Sequence, residues 1–331
     1  MKDAAAVCRI SQQEKGENRM KISGGSNNTS YIKRLQKDLV KNRALYLIVA
    51  LPVIYYIVFQ YFPMYGLQIA FRNFSPQDGI AGSDWVGLKH FKDFFTSVYF
   101  GRLLKNTFRI SLYSILFGFP APILLALLIN EFTNKRFVKT VQTVTYLPHF
   151  ISLVVVCGII SSFTGGSGMI TKFIAHFTHD DTSILMKPEY FTGMFVISDI
   201  WQSVGWDSII YFAALTGIDS ELYEACEIDG GGRLRQVMHV TIPGILPTII
   251  IMFILRMGNI LTIGYEKIIL LYNPITYETA DVISTYVYRK GLLENSYSYA
   301  TAVGLFNSVV NVVFLCLTNF ISKKVSDTSL W

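Results

Sequence analysis

Six apolar runs of about twenty residues or more, the length that crosses a bilayer, dominate this chain, near 44–66, 106–130, 141–163, 192–216, 244–270 and 300–321. An α-helix rises about 1.5 Å per residue, so each run can cross a hydrocarbon core about 30 Å thick. Within hydrocarbon the backbone must satisfy its own N–H and C=O groups, and a single run of this kind does so only as a helix. The expected fold class is therefore all-α: a polytopic membrane protein with six transmembrane helices. With 51% hydrophobic and 16% charged residues among 331, the chain is too apolar for ordinary water-soluble domains. Three regions are expected: an N-terminal extension over 1–43, a membrane domain over 44–324 and a short tail over 325–331.

Lysine and arginine orient the helices. Segments on the side of the termini hold 17 of them and the opposite loops hold 9. Both termini are therefore expected in the cytoplasm. The basic residues crowd before Arg43, which reads as a topology and lipid-headgroup signal, with no nucleic-acid partner. No cleavage site follows the first apolar run at signal-peptide distance, and Met20 offers a second start. Cys8, Cys157, Cys226 and Cys316 are too scattered for a disulfide framework or a metal site. The outer loops, 67–105, 164–191 and 272–299, are long enough to fold on themselves and meet an external protein.

Between the fourth and fifth runs lies a polar insert, residues 219–247, DSELYEACEIDGGGRLRQVMHVTIPGILP. Asp219 or Ser220 can cap a helix start, Glu221 and Glu224 suit its positive first turn, and Gly230 supplies a left-handed stop. The result is a helix of about three turns. Glu221, Glu224 and Glu227 lie along one acidic edge, and Leu222, Tyr223, Ala225, Cys226 and Ile228 supply apolar surface. Such a helix suits docking onto another protein, although an ordinary amphipathic helix between spans would share most of these features.

Glu224-Ala225-Cys226, Gly230, then Val240, Ile242 and Pro243 resemble the EAA signature of binding-protein-dependent ABC importer permeases. The spacing is complete; Cys226, Val240 and Ile242 depart from it only as other small or apolar residues. The resemblance narrows through residues 61–71 (YFPMYGLQIAF), 205–218 (GWDSIIYFAALTGI), 272–289 (YNPITYETADVISTYVYR) and 297–311 (YSYATAVGLFNSVVN). These are similar to the LplB-like oligosaccharide and polysaccharide branch of carbohydrate permeases. The resemblance implies a type I ABC importer permease fold, with 219–243 as the segment that couples to an ATPase through Glu224, Ala225, Cys226, Asp229, Gly230 and Pro243. It also implies four further partners in the bacterial cell membrane: a second homologous permease, two cytoplasmic ATPase subunits and an extracellular sugar-binding lipoprotein. ATP and Mg would sit on the ATPases, with no cofactor on this chain.

No catalytic residue or metal ligand is assigned. The chain lacks a P-loop, HExxH and GxSxG, and its histidines are scattered. The substrate pathway is sought among polar and aromatic residues of the apolar runs: Trp201, Gln202, Trp206, Asp207, Arg256 and Asn259. Asp207 and Arg256 fall at about the same depth, some 14 to 18 Å from the cytoplasmic ends at about 1.5 Å per residue, so they can form an ion pair or face a cavity. Trp201, Trp206, Tyr211 and Tyr265 can stack on sugar rings, yet such aromatics commonly just fill helix interfaces. The alternative reading is a membrane enzyme acting on lipid-linked or polymeric glycans through Asp199 or Asp207, which leaves the EAA spacing as coincidence.

Overall fold

A computed structural model describes residues 38, 41–326 and 328–331. Most of the expected extension 1–43, Met20 and Cys8 included, lies outside them. The chain divides at Tyr65 into two units. In the first, helix Arg43–Tyr56 carries Pro52 in its interior and continues as a π-helical turn, Ile57–Tyr61. The second holds everything from Gly66 onward.

Among the described residues, five helical stretches are long and apolar enough to cross a membrane: Arg43–Phe71, Phe100–Asn130, Leu153–Thr178, Arg233–Met257 and Tyr297–Ser326. The remaining expected span, the fourth, at 192–216, corresponds to Pro188–Leu215, a 28-residue helix that is long enough but less apolar. Asp199, Gln202, Ser203 and Asp207 interrupt its hydropathy. This central helix packs against Pro120–Asn130, Lys135–Tyr146 and Ile242–Met257. A Cβ built on its Gly205 would lie 2.2 Å from the carbonyl oxygen of Thr145, so the two backbones touch there because the residue is glycine. Among the described residues, the only strands form a two-residue ribbon in the first outer loop, pairing Arg72 with Trp85 and Asn73 with Asp84.

Two expected spans are corrected. The run 141–163 is not one helix: Lys135–Tyr146 passes into a 3-10 turn at Leu147–Phe150, and a new helix, Leu153–Thr164, starts at Ser152, whose side chain caps Val155 N–H. Pro148 has no N–H to continue the first helix, and Ser152 supplies the next start. The run 244–270 likewise ends at Met257 and resumes only at Tyr265–Leu271.

Unwound backbone at membrane depth persists only where protein or a polar cavity satisfies it, and residues 258–264 meet that condition. Asn311 accepts from Leu261 N–H at 2.9 Å and donates to Thr262 Oγ1 at 2.8 Å, while the Ser111 hydroxyl donates to the Ile260 carbonyl. Leu261 is fully buried. Asn311→Leu therefore leaves its N–H without an acceptor, a cost of about 1–3 kcal/mol. The variant is expected to accumulate poorly and melt lower in detergent; melting unchanged from the parent would count against this account.

Side chains pack into three clusters. One gathers Ile110, Val156, Phe191, Phe195, Ile268 and Val282; a second Phe94, Leu103, Leu261, Ile283, Tyr286 and Val303; a third Ala126, Tyr211, Leu215 and Ile245. Lipid tails are as apolar as leucine, so area burial alone does not select these contacts. Buried polar residues such as Asn106, Thr107, Ser111 and Asn311 cross between elements and set the register. Leu112, Leu116, Leu124 and Leu128, spaced in multiples of four, stay exposed along another face of the Phe100–Asn130 rod.

The outer segment 272–293, expected as a loop, is a run of short helices anchored by one buried carboxylate. Arg289 grips Asp281 with both guanidinium ends, at 3.2 and 2.7 Å, Thr285 Oγ1 donates at 2.9 Å, and Arg102 lies at 3.6 Å. Asn106 donates to the Glu278 and Asp281 carbonyls and Arg109 to that of Thr279, fastening the segment to helix Phe100–Tyr113. Burial works against the Arg289 charge, but its bonds and attraction to Asp281 outweigh that, and its pKa is raised.

Candidate functional site

Two adjoining polar spaces lie against the central helix. One, of about 190 Å³, is lined by Ser111, Ser114, Phe195, Asp199, Arg256 and the unwound residues around Asn259. The other, of about 390 Å³, is lined by Phe119, Asp199, Ser203, Asp207, Tyr211, Arg256 and Asn259 among others. Asp199, Arg256 and Asn259 border both, so the two spaces adjoin across a shared wall. The helix break explains the place: once Ile242–Met257 stops, Asn259 and the following backbone turn into the space.

Three of the six expected pathway residues meet here: Asp207, Arg256 and Asn259. Asp207 and Arg256 share the wall without forming an ion pair among the described residues. Trp201 instead borders an apolar groove with Ile159, Phe163, Ile170 and Ile197. Trp206 stacks parallel on His149 at 4.6 Å and edge-on to Phe150, which makes it a packing residue at the helix break. Gln202 lines neither space. Tyr211 is buried in the third core cluster and only its edge reaches the cavity.

Sequence reasoning missed Ser111, Ser114 and Lys267. The first two look like filler hydroxyls in an apolar run, and only the packing of Phe100–Tyr113 against residues 258–264 turns them inward. Lys267 sits behind Asp199, its Nζ 3.5 Å from Oδ1 and over the Phe195 ring. A lysine inside an apolar run was the available signal, since such a charge requires a partner.

The insert folds as expected. Helix Ser220–Ile228 is capped by Asp219, whose carboxylate accepts Glu221 N–H at 3.0 Å. It ends in a Schellman motif: Gly231 N–H bonds the Cys226 carbonyl at 2.8 Å, Gly230 N–H bonds that of Glu227 at 2.9 Å, and Gly230 has φ of 76°. The Tyr223 hydroxyl meets Thr241 Oγ1 at 3.2 Å, tying the helix back to the root of the next one, and Cys226 is half-buried. Glu224, Ala225, Asp229 and Pro243 are exposed, as are Leu222, Ile228, Leu234 and Met238. An exposed face of this kind, with apolar side chains beside carboxylates, has the composition of a docking surface.

The family described as binding-protein-dependent transport system inner membrane component matches residues 94–327. Protein LplB of Bacillus subtilis (strain 168) is 42% identical over 88% of this chain and 92% of its own. The polygalacturonan/rhamnogalacturonan transport system permease protein YteP of the same organism is 42% identical, with coverage of 90% and 94%. A solved bacterial ABC transporter involved in the import of the acidic polysaccharide alginate contains a chain that superposes with a TM-score of 0.81 at 44% identity, over 88% of this chain and 99% of that one. The bacterial alginate transporter in complex with alginate pentasaccharide-bound periplasmic protein gives 0.81 at 43% identity, over 90% and 100%.

Proposed function

The chain belongs to the inner membrane components of binding-protein-dependent transport systems, a multi-pass permease subunit rather than an enzyme, and we propose that its cargo is an oligosaccharide or polysaccharide fragment. The observation that carries this is the polar cavity along the central helix, where Ser111, Ser203, Asp207, Arg256 and Asn259 offer donors and acceptors at membrane depth. Relatives whose names specify polygalacturonan, rhamnogalacturonan and alginate support the class. A membrane enzyme acting on glycans is not favoured, because the relatives are transport permeases.

Assembly follows from the same reading. The chain pairs with a second, homologous permease; of two cytoplasmic ATPase subunits, which hold ATP and Mg, one docks on the exposed face of Ser220–Ile228; and an extracellular sugar-binding lipoprotein docks on the outer segments around 164–191 and 272–299. Both termini then lie in the cytoplasm, as the lysine and arginine distribution indicates. Closure of the ATPases on ATP moves the coupling helices, the cavity opens outward, the sugar enters, and hydrolysis reverses the motion.

Uptake of a labelled oligosaccharide by cells carrying the whole system tests the proposal. It is expected to require ATP and to survive collapse of the proton gradient; uptake that disappears with the gradient would point to a different transporter class. Arg256→Gln is expected to accumulate normally and lose ten- to a hundredfold of uptake, about the worth of one charge-assisted hydrogen bond. Normal uptake by that variant would remove Arg256 from the pathway.

A further inference from the structure

We propose that Asp199 accepts hydroxyl groups of the passing saccharide, tethered from behind by Lys267, so that this wall reads the uncharged hydroxyl face of the sugar rather than its acidic groups. The inference rests on the saccharide-importer reading above. Asp199 borders both spaces of the cavity, so a chain moving from one to the other passes it. Its carboxylate is 39% exposed, while the Lys267 side chain is 4% exposed. Among the described residues Lys267 Nζ has no hydrogen-bond acceptor; its charge is met by Asp199 at 3.5 Å and by the Phe195 ring at 5.2 Å. It lines neither space. Lys267 is thus a positioning residue: it tethers Oδ1 and leaves the rest of the carboxylate to the cavity.

The charge balance sets the ligand class. The charged side chains lining the two spaces are Asp199, Asp207 and Arg256. A uronate carboxylate entering here meets one guanidinium flanked by two carboxylates, and the buried Lys267 only restores neutrality. With two positive and two negative side chains the arrangement is neutral overall, so it offers an anion no net attraction in a medium of low dielectric constant. Carboxylates are acceptor-only and together offer several lone pairs, which suits sugar hydroxyls as donors. Arg256, Asn259 and the Ser114 side chain supply donors for the hydroxyl oxygens of the same ring, while the Ser203 hydroxyl, which donates to the Asp199 carbonyl at 2.8 Å, is left as an acceptor.

The test uses the complete transporter in proteoliposomes, with its loaded binding protein and two probes: a uronic-acid pentasaccharide and its carboxyl-reduced counterpart. The parent is expected to carry the reduced probe at least as well as the acidic one. Asp199→Asn is expected to lower uptake of both by about tenfold, the effect of losing roughly one hydrogen bond to a charged acceptor, and through KM rather than kcat. Lys267→Met should raise KM likewise, and Lys267→Arg should recover most of the loss, which a purely structural role in folding would not produce. If Asp199→Asn does not accumulate, the double variant with Lys267→Met, which removes both charges together, is scored in its place. Uptake by the parent that Asp199→Asn leaves unchanged, or that rises for the acidic probe alone, overturns the inference by itself. Failure of the parent to carry either probe overturns the importer reading, and the inference with it.

Discussion

Glu224→Ala and Gly230→Val should each leave the protein inserted in the membrane and abolish sugar uptake. Glu224 is exposed on the outer face of Ser220–Ile228 and has no partner within the chain among the described residues. There it can take a charge-assisted hydrogen bond from a basic residue of the ATPase, worth about 1.5–3 kcal/mol. Gly230 acts differently. Its φ of 76° is open to glycine and costly for a β-branched residue, about 1–2 kcal/mol. Nothing lies within 4 Å of a Cβ built there, so the penalty is backbone strain and not collision. Relieving that strain unwinds the Schellman turn and re-aims the helix that Tyr223 ties to Thr241. Membrane accumulation, co-purification of the ATPase subunits and uptake are the three measurements. A variant with normal uptake and full ATPase association would remove that residue from coupling.

Asp281→Ala is expected to be the most destabilising change in the outer segments. The carboxylate is fully buried under two arginines, and deleting it leaves two guanidinium charges without their anion. Breaking a buried pair on one side costs about 3–5 kcal/mol. The lower end applies here, because the Arg102 side chain keeps 36% of its surface in solvent. The Tyr277–Ala280 and Ile283–Tyr288 helices should loosen against Phe100–Tyr113, held then by the backbone bonds that Asn106 and Arg109 make to residues 278–281 and Thr107 makes to Ile283 N–H. Protease cleavage within 272–293 and a lowered melting temperature would report it. An unchanged melting temperature and no new cleavage would show that the network is dispensable.

The polar insert was legible in the sequence because its determinants are local. Asp219 caps the helix, and Gly230 ends it through bonds that span no more than five residues. The central helix was legible too, as a long run with Asp199 and Asp207 inside it, since charges placed in hydrocarbon must face protein or water. The site was only half legible. Asp207, Arg256 and Asn259 carry their polarity openly and line the cavity, whereas Trp201 and Trp206 turned to an apolar groove and to His149. Composition marks an aromatic residue as able to stack on a sugar but does not say which way its side chain faces.

By itself the sequence determined that the chain crosses a membrane several times, where the short helix of its polar insert begins and ends, and which family it belongs to. Each of these follows from hydropathy, capping or a fixed spacing, interactions that reach a few residues along one segment. Tertiary structure alone decided that the run 244–270 breaks at Met257, whereas the break of 141–163 before Ser152 has a local cause in Pro148 and the Ser152 cap. Apolar composition favours a continuous helix through Met257. The break at Met257 holds because Asn311 and Ser111, about 50 and 149 residues away in sequence from their partners, satisfy the freed backbone. The cavity exists where that break occurs, so its walls depend on hydrogen bonds between distant segments that no local pattern encodes.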